Sequence, residues 1–374
     1  MKQLLFSFLL FSYLLGLQSC NNNGAASIGN RDGDTITTTA SLLSIVEYDE
    51  FTIATIQDPW NKGAVIGRYI LVPDNTVRPD NLPQGIVIKT PVSSSLVYSS
   101  VHAGAINELG AIDRISAICD AQYYKLPKIT AGLESGKVID VGASMSPSIE
   151  RIIDHEPQII LTSPFQNAGH GAIEQLGIPI VECADYMESS PLGRAEWIKL
   201  LGRLYGKAQV ADSIYNVVKL RYNSLRDSAL QCTNRPTVIS EMVTDGVWYL
   251  PGGRSYMAQI FYDAAASYPW ADDTSTGSLQ LDFASVYDRA HDADFWFIKT
   301  FNNDMTLANL QEDYPLHARM SAFSNGGVYA CNTAKTTFFE DFPFHPELLL
   351  RDFINIIHPG VLSDTTINYY RQVK

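Results

Sequence analysis

Between Lys207 and Leu230 the chain reads KAQVADSIYNVVKLRYNSLRDSAL, with neither Gly nor Pro to interrupt it. Val210, Ile214, Val217, Val218 and Leu225 fall at the spacing of one helical face, the pattern of an amphipathic helix. A single helix over 207–230 would extend roughly 36 Å. That is too long to cover one short sheet and suits a strut across the molecule, so the chain on either side must form two separate bodies.

Both sides carry strand–helix patterning. From about residue 50 to 92, FTIATI, GRYILVP and GIVIKT read as strands separated by turn-rich segments such as PDNTVRPDNLP, which predicts a small antiparallel opening. From residue 93 the pattern changes. SSSLVYSS, RISAIC, QIILTSP and IPIVECAD are strand-like and alternate with the helical VHAGAINELG, PSIERIIDHE and GAIEQLG. Such alternation implies βαβ units and a parallel sheet. AEWIKLLGRLYG follows as a helix that stops at Gly206, a suitable C′ glycine. Beyond the strut, PTVISEMV, GVWYLP, ADFWFIKT and GGVYACN read as strands, with SYMAQIFYDAAA, DFASVYDRA and HPELLLRDFINIIHP as helices. The fold class is α/β: two Rossmann-like lobes with mostly parallel sheets, over 49–206 and 231–374, joined by the 207–230 helix.

The N-terminus bears on location. Lys2 precedes an apolar stretch, LLFSFLLFSYLLGL over 4–17, shorter than the roughly 20 residues of a membrane span and suited to a signal-peptide core over 1–19. It ends LQSC, the small-residue-then-cysteine pattern of a bacterial lipobox, in which Cys20 would be acylated and become the mature N-terminus; an ordinary cleavage site near Cys20 is the plainer alternative. Residues 20–48 are mostly polar and small, and are expected to be a flexible tether. No early acidic cluster follows Cys20, so a periplasm-facing anchor is expected. The formal net charge of −13 argues against nucleic acid as a partner, because phosphate contacts need a basic face.

Signals for catalysis are thin, and no catalytic residue is assigned. The seven histidines form no HExxH pair. GLESGKV over 132–138 is one residue short of a phosphate loop, lacks Ser or Thr after Lys137, and reads as a loop. GASMS around Ser144 lacks the second glycine of the hydrolase elbow. The acidic pairs Asp272–Asp273 and Glu340–Asp341 read as solvated turn residues. Cys119, Cys183, Cys232 and Cys331 form no CxxC, which removes support for a zinc knuckle. Free thiols are expected, with disulfides the alternative that export would permit.

Three stretches are more specific: VYSSVHAGAINELGAIDRISAIC (97–119), VIDVGASMSPSIERIIDHEPQIILTSP (138–164), and LGIPIVECAD followed by LLGRLYGKAQVADSI. YLPGGRSYMAQIFYDAAA (249–266) adds a weaker match. Together they resemble the periplasmic binding proteins of ABC importers for iron chelates and cobalamin, over roughly residues 93–358. The resemblance implies a ligand cleft between the lobes, delivery to a membrane permease and its ATPase, and a monomer with no cofactor of its own. Iron or cobalt would arrive inside the ligand. An enzyme or a surface interaction protein on the same frame is the alternative of a different class.

In parallel α/β sheets, ligands bind beyond the carboxyl ends of the strands. That rule nominates Ser99, Ser100 and His102 after the first parallel strand, and Tyr123 and Tyr124 after the second. It nominates Ser163, Phe165, Gln166 and Asn167 after the third, and Asp185 and Tyr186 after the fourth. From the second lobe come Trp248, Arg254, Tyr256, Lys299, Phe301 and Asn302. Aromatic rings suit a large planar ligand, Arg254 or Lys299 could answer an anionic chelate, and a tyrosine could be the axial ligand of a haem iron. Each aromatic has core packing as its alternative, and His102 has helix capping or packing. No metal site is expected in the protein itself. The resemblance also places Glu150 where the family carries a glutamate that docks to permease arginines, although an acid in a first helical turn is favoured by the helix dipole alone. In the second lobe Ala284 stands where the matching glutamate is expected, and Asp282 is the nearest acid.

Overall fold

The computed structural model describes residues 32–374, so the signal-peptide and Cys20 expectations lie outside the described residues. The chain opens with β1 (Asp34–Thr35), β2 (Leu43–Glu47), β3 (Thr52–Gln57), β4 (Val65–Pro73) and β5 (Ile86–Thr90), one sheet in that order. Pairing is antiparallel as far as β4, but β5 runs parallel to β4, which corrects the expectation of a wholly antiparallel opening. The 74–85 connection is long enough to return GIVIKT in the same direction.

Part of the expected tether is folded as well. The main-chain N–H groups of Thr38, Thr39 and Ala40 donate to the Glu196 carboxylate at 2.7–3.1 Å, and those of Ser41 and Leu42 donate to Glu188 at 2.9–3.1 Å. Both glutamates are buried, Lys199 pairs with Glu196 at 2.9 Å, and the Trp197 indole donates to Glu188. Polar composition alone says disorder. Two buried carboxylates supply what that composition lacks, acceptors for five consecutive N–H groups.

The first lobe continues with β6 (Ser95–Val97), α1 (Ser100–Glu108), β7 (Ile115–Ile118), α2 (Pro127–Ser135), β8 (Ile139–Asp140), α3 (Ile149–His155), β9 (Ile159–Thr162) and β10 (Ile180–Glu182). The strands form one parallel sheet in the order β10-β9-β6-β7-β8. Gly132 to Ser135, read as loop, close α2 instead, and Gly136 follows at φ +72. GAIEQLG forms a 3-10 helix. The AEWIKLLGRLYG region divides into α4 (Pro191–Ala195) and α5 (Ile198–Leu204).

The strut is α6 (Ala208–Ala229). Its buried face is Ala211, Tyr215, Val218, Tyr222 and Ala229, while Val210 and Val217 are exposed. The expected stripe is thus rotated by about one position. Tyrosines take the inner face because their hydroxyls find partners, Tyr215 donating to Thr39 at 2.8 Å and Tyr222 to Asp263 at 2.6 Å. The helix packs against α5 on one flank and against the final helix on the other.

The second lobe holds β11 (Val238–Ser240), β12 (Val243–Thr244), β13 (Val247–Pro251), α7 (Tyr256–Asp263), β14 (Ser278–Leu281), α8 (Phe283–Ala290), β15 (Phe295–Thr300), α9 (Leu307–Asp313), α10 (Ser321–Asn325), β16 (Val328–Asn332), α11 (Phe338–Asp341), α12 (Pro346–Ile357) and β17 (Arg371–Gln372). β11, β15 and β16 are parallel, with β17 antiparallel at the edge, and β12-β13-β14 make a small antiparallel sheet. Cys119, Cys183, Cys232 and Cys331 are free.

Besides α6, a second contact ties the lobes. α11 lies on α1 so closely that a Cβ at Gly104 would stand 2.1 Å from the Glu340 carbonyl oxygen. Nearby, His345 bridges Glu108 of the first lobe at 2.7 Å and Glu347 of the second at 3.0 Å. Burial opposes charge on this ring, but the two carboxylates outweigh it and push its pKa up to about 10.

Two outcomes are expected. Glu196→Ala leaves Lys199 buried without its carboxylate and three N–H groups without an acceptor, at a cost of about 2–4 kcal/mol; limited proteolysis should then cut between Asp34 and Leu42, where the native protein resists. A histidine raised from about 6.5 unfolded to about 10 folded stabilises fully below the unfolded value and ceases to do so as pH climbs through the folded one. The Tm deficit of His345→Gln should therefore be largest below pH 6.5 and should vanish near pH 10. A deficit independent of pH would refute the charged bridge.

Candidate ligand-binding cleft

The carboxyl ends of the parallel strands in both lobes face a cleft of about 740 Å³. Its first-lobe wall begins where β6 ends: the Ser99 side chain caps α1 by accepting from the Val101 N–H at 3.3 Å. His102, one turn in, points beneath the floor, where its Nε2 meets Asp185 at 2.9 Å. The other Asp185 oxygen accepts from Arg194 Nε at 3.0 Å, and the Arg194 guanidinium lies 4.7 Å from the Tyr256 ring and 5.7 Å from that of Phe342, both in the second lobe. Burial alone would raise the Asp185 pKa, but the two cations hold it below the usual carboxylate range. Burial likewise disfavours charge on His102, but Cys183 and the bonded carboxylate outweigh it and raise its pKa.

Twelve of the nominated residues line this cleft: Ser99, Ser100, His102, Tyr123, Tyr124, Ser163, Phe165, Asp185, Tyr186, Tyr256, Lys299 and Phe301. They are not equivalent. Tyr124 is buried and donates to the Val97 carbonyl at 2.7 Å, so it braces the wall. Tyr123 is 50% exposed and meets Phe301 edge-on at 5.2 Å across the mouth, one ring from each lobe. Phe165 stands over Tyr186, whose hydroxyl donates to the Pro164 carbonyl. Lys299 is held by Glu241.

Five nominees do not line the cleft. Trp248 is fully buried: its indole donates to the Ser240 carbonyl and packs on Trp296 and Phe283, making it core. Gln166, Asn167 and Asn302 are exposed beyond the strand ends, with Asn167 and Asn302 at positive φ in turns. Arg254 is a fifth exception in the same sense, exposed in the loop before α7 and outside the lining. Its placement removes one of the two cations expected to meet an anion.

The pattern of strand ends missed Tyr98, Arg194, Met257, Thr300, Thr333, Phe338, Phe339, Glu340 and Phe342, all of which line the cleft. Arg194 and the Phe338–Phe342 cluster sit on helices, out of reach of a rule about strands. The aromatic density of TTFFEDFPF was the available signal. Glu340, read as a solvated turn acid, is buried and accepts from the Lys125 N–H at 2.9 Å. Two polar atoms of the wall, Tyr98 Oη and His102 Nδ1, are buried without a hydrogen-bond partner.

Of the docking nominees, Glu150 is exposed in the first turn of α3, and the cap is provided by Ser148, whose hydroxyl accepts from the Arg151 N–H. Asp282 is itself the N-cap of α8, accepting from the Ser285 N–H at 2.7 Å.

The chain is similar to an uncharacterized lipoprotein of Methanocaldococcus jannaschii, 28% identical over 299 residues that cover 76% of this chain and 69% of the relative. Its fold is shared by a periplasmic haem-binding protein from Pseudomonas aeruginosa (TM-score 0.59, 14% identity, 76% of this chain and 98% of that one). It is shared also by an ABC-type Fe3+-hydroxamate transport protein from Saccharomonospora viridis (0.57, 16%, 72% and 94%) and a periplasmic vitamin B12 binding protein from Vibrio cholerae (0.55, 15%, 71% and 97%). The sequence profile described as periplasmic binding protein matches residues 97–334, well over half of the chain. With two α/β lobes around a cleft built at their strand ends, the chain belongs to the periplasmic binding protein family, whose members bind and deliver rather than catalyse.

Proposed function

We propose that this protein is the substrate-binding lipoprotein of an ABC importer, anchored through Cys20 and facing the periplasm, that captures a ferric chelate (a siderophore or haem) and passes it to a permease. The observation that carries the reading is the cleft, large and walled by aromatic rings from both lobes. Its volume lies within the roughly 300–1,000 Å³ of small-molecule sites. Among the described residues no three His, Cys, Asp or Glu side chains converge as a metal-ligand set. Proteins sharing the fold bind haem or carry Fe3+-hydroxamate. Cobalamin is the second reading, favoured by the likeness to the vitamin B12 binding protein.

Tyr123 and Phe301 are the anchors to test, because they meet across the mouth and are each more than two-fifths exposed. Fluorescence titration with ferric siderophores, haem and cobalamin should reveal tight binding of one of them. Tyr123→Ala should weaken it about tenfold, the scale of a lost aromatic anchor, with Tm nearly unchanged. Absence of binding to all three would sink the reading.

Glu150 is the docking residue for the permease, with Asp282 as the acid available in the second lobe. Since Ser148 already caps α3, Glu150→Arg should leave Tm and ligand affinity unaltered. It should abolish uptake in cells, because like charges would meet at the interface. Normal uptake by that variant would remove the assignment.

A further inference from the structure

We propose that the cleft selects bulky chelates that carry no net negative charge. This rests on the reading of the cleft as a chelate site and narrows it. Three cationic side chains line the cavity, His102, Arg194 and Lys299, and each is already engaged by a carboxylate. Asp185 takes both His102 and Arg194, and Glu241 takes Lys299 from the far side of the wall. Arg194 also lies against the paired Tyr256 and Phe342 rings. An anion could recruit His102 or Arg194 only by drawing it from the buried Asp185 carboxylate, a loss that typically exceeds what the new pair returns, and Lys299 only in competition with the half-buried Glu241. Lys125 stands at the rim, beside Phe301 rather than in the lining.

The acids of the lining are disposed differently. Asp120 and Glu340 face the same cavity. Asp120 accepts from the Ser144 N–H at 3.1 Å and Glu340 from the Lys125 N–H. Neither has a salt-bridge partner among the described residues. Because neither acid is paired with a cation, a positive group brought into the cleft finds two unmatched carboxyl groups and a negative one finds no free partner in the lining. The overall formal charge of −13 adds long-range repulsion of anions. Beyond the Lys299–Glu241 pair lies a second pocket of about 450 Å³, sharing Tyr186, Tyr256, Met257 and Lys299 with the main cleft and bordered by Glu241. An arm reaching that way meets another acid before any unengaged cation.

Among ferric chelates this favours hydroxamate complexes over trianionic catecholates and over haem with its ionised propionates. The test uses the full chain and four probes titrated by intrinsic fluorescence at low and high salt. Ferric desferrioxamine, cationic through its free ammonium, and neutral cyanocobalamin form one arm; a ferric tris-catecholate and haemin form the other. The tightest binder should come from the first arm, at least ~10-fold ahead of either anion. For ferric desferrioxamine that margin should shrink as salt rises. Glu340→Gln keeps the acceptor for the Lys125 N–H and should reduce the preference severalfold, as should Asp120→Asn, with Tm close to that of the native protein. If either anion binds as tightly as the best of the first arm, this proposal is overturned while the chelate reading stands. If no probe binds, both are overturned together.

Discussion

The carboxylate of Asp185 holds the site together. It sits just beyond β10, accepts from Arg194 and faces His102, so it joins α4 to α1 within the first lobe. Through Arg194 it also meets the second lobe, because the guanidinium lies against the contacting rings of Tyr256 and Phe342. Burying three ionisable groups costs desolvation that only close geometry can offset. Here the carboxylate serves two cations, and the remaining faces of one of them lie on aromatic rings, which suit a guanidinium better than an ammonium. The arrangement gives the cleft a fixed floor and leaves its cations engaged.

The lobes are held by more than a single connection. α6 presents a tyrosine-bearing face to both, with hydroxyls satisfied at Thr39 and Asp263. The α1–α11 contact depends on the missing side chain of Gly104, and His345 places a positive bridge between acids of the two lobes. A cleft whose walls are tied at several points is largely preformed, and a preformed site avoids much of the ordering cost of binding.

The N-terminal strap extends the same economy of polar groups. Glu188 and Glu196 are buried acids whose acceptors are filled by main-chain N–H groups of residues 38–42, and Arg203 ties the opening sheet to α5 through Glu47 while also binding Asp212. Residues 38–42, which composition reads as part of a flexible tether, are thus folded onto the first lobe.

Much of the architecture was legible in the chain itself. The uninterrupted run over 207–230 marks the strut, and the alternation of VYSS, RISAIC and QIILTSP with short helical segments marks a parallel sheet, because helix and strand periodicities are local properties. The rule of strand ends likewise finds Tyr123, Phe165, Tyr186 and Phe301, since their position follows from chain direction alone. Tertiary structure decided the rest. Trp248 is nominated with those residues, yet it lies within β13 and packs on Trp296 in the core. Arg194 and Phe338–Phe342 reach the cleft from helices, through contacts between residues more than sixty positions apart. Thr38 to Leu42 look disordered until Glu188 and Glu196, about 150 residues later, arrive beneath them. Periodicity and composition report what a segment can do by itself; which side chains meet, and which charges are already paired when a ligand arrives, depend on long-range packing that no local pattern records.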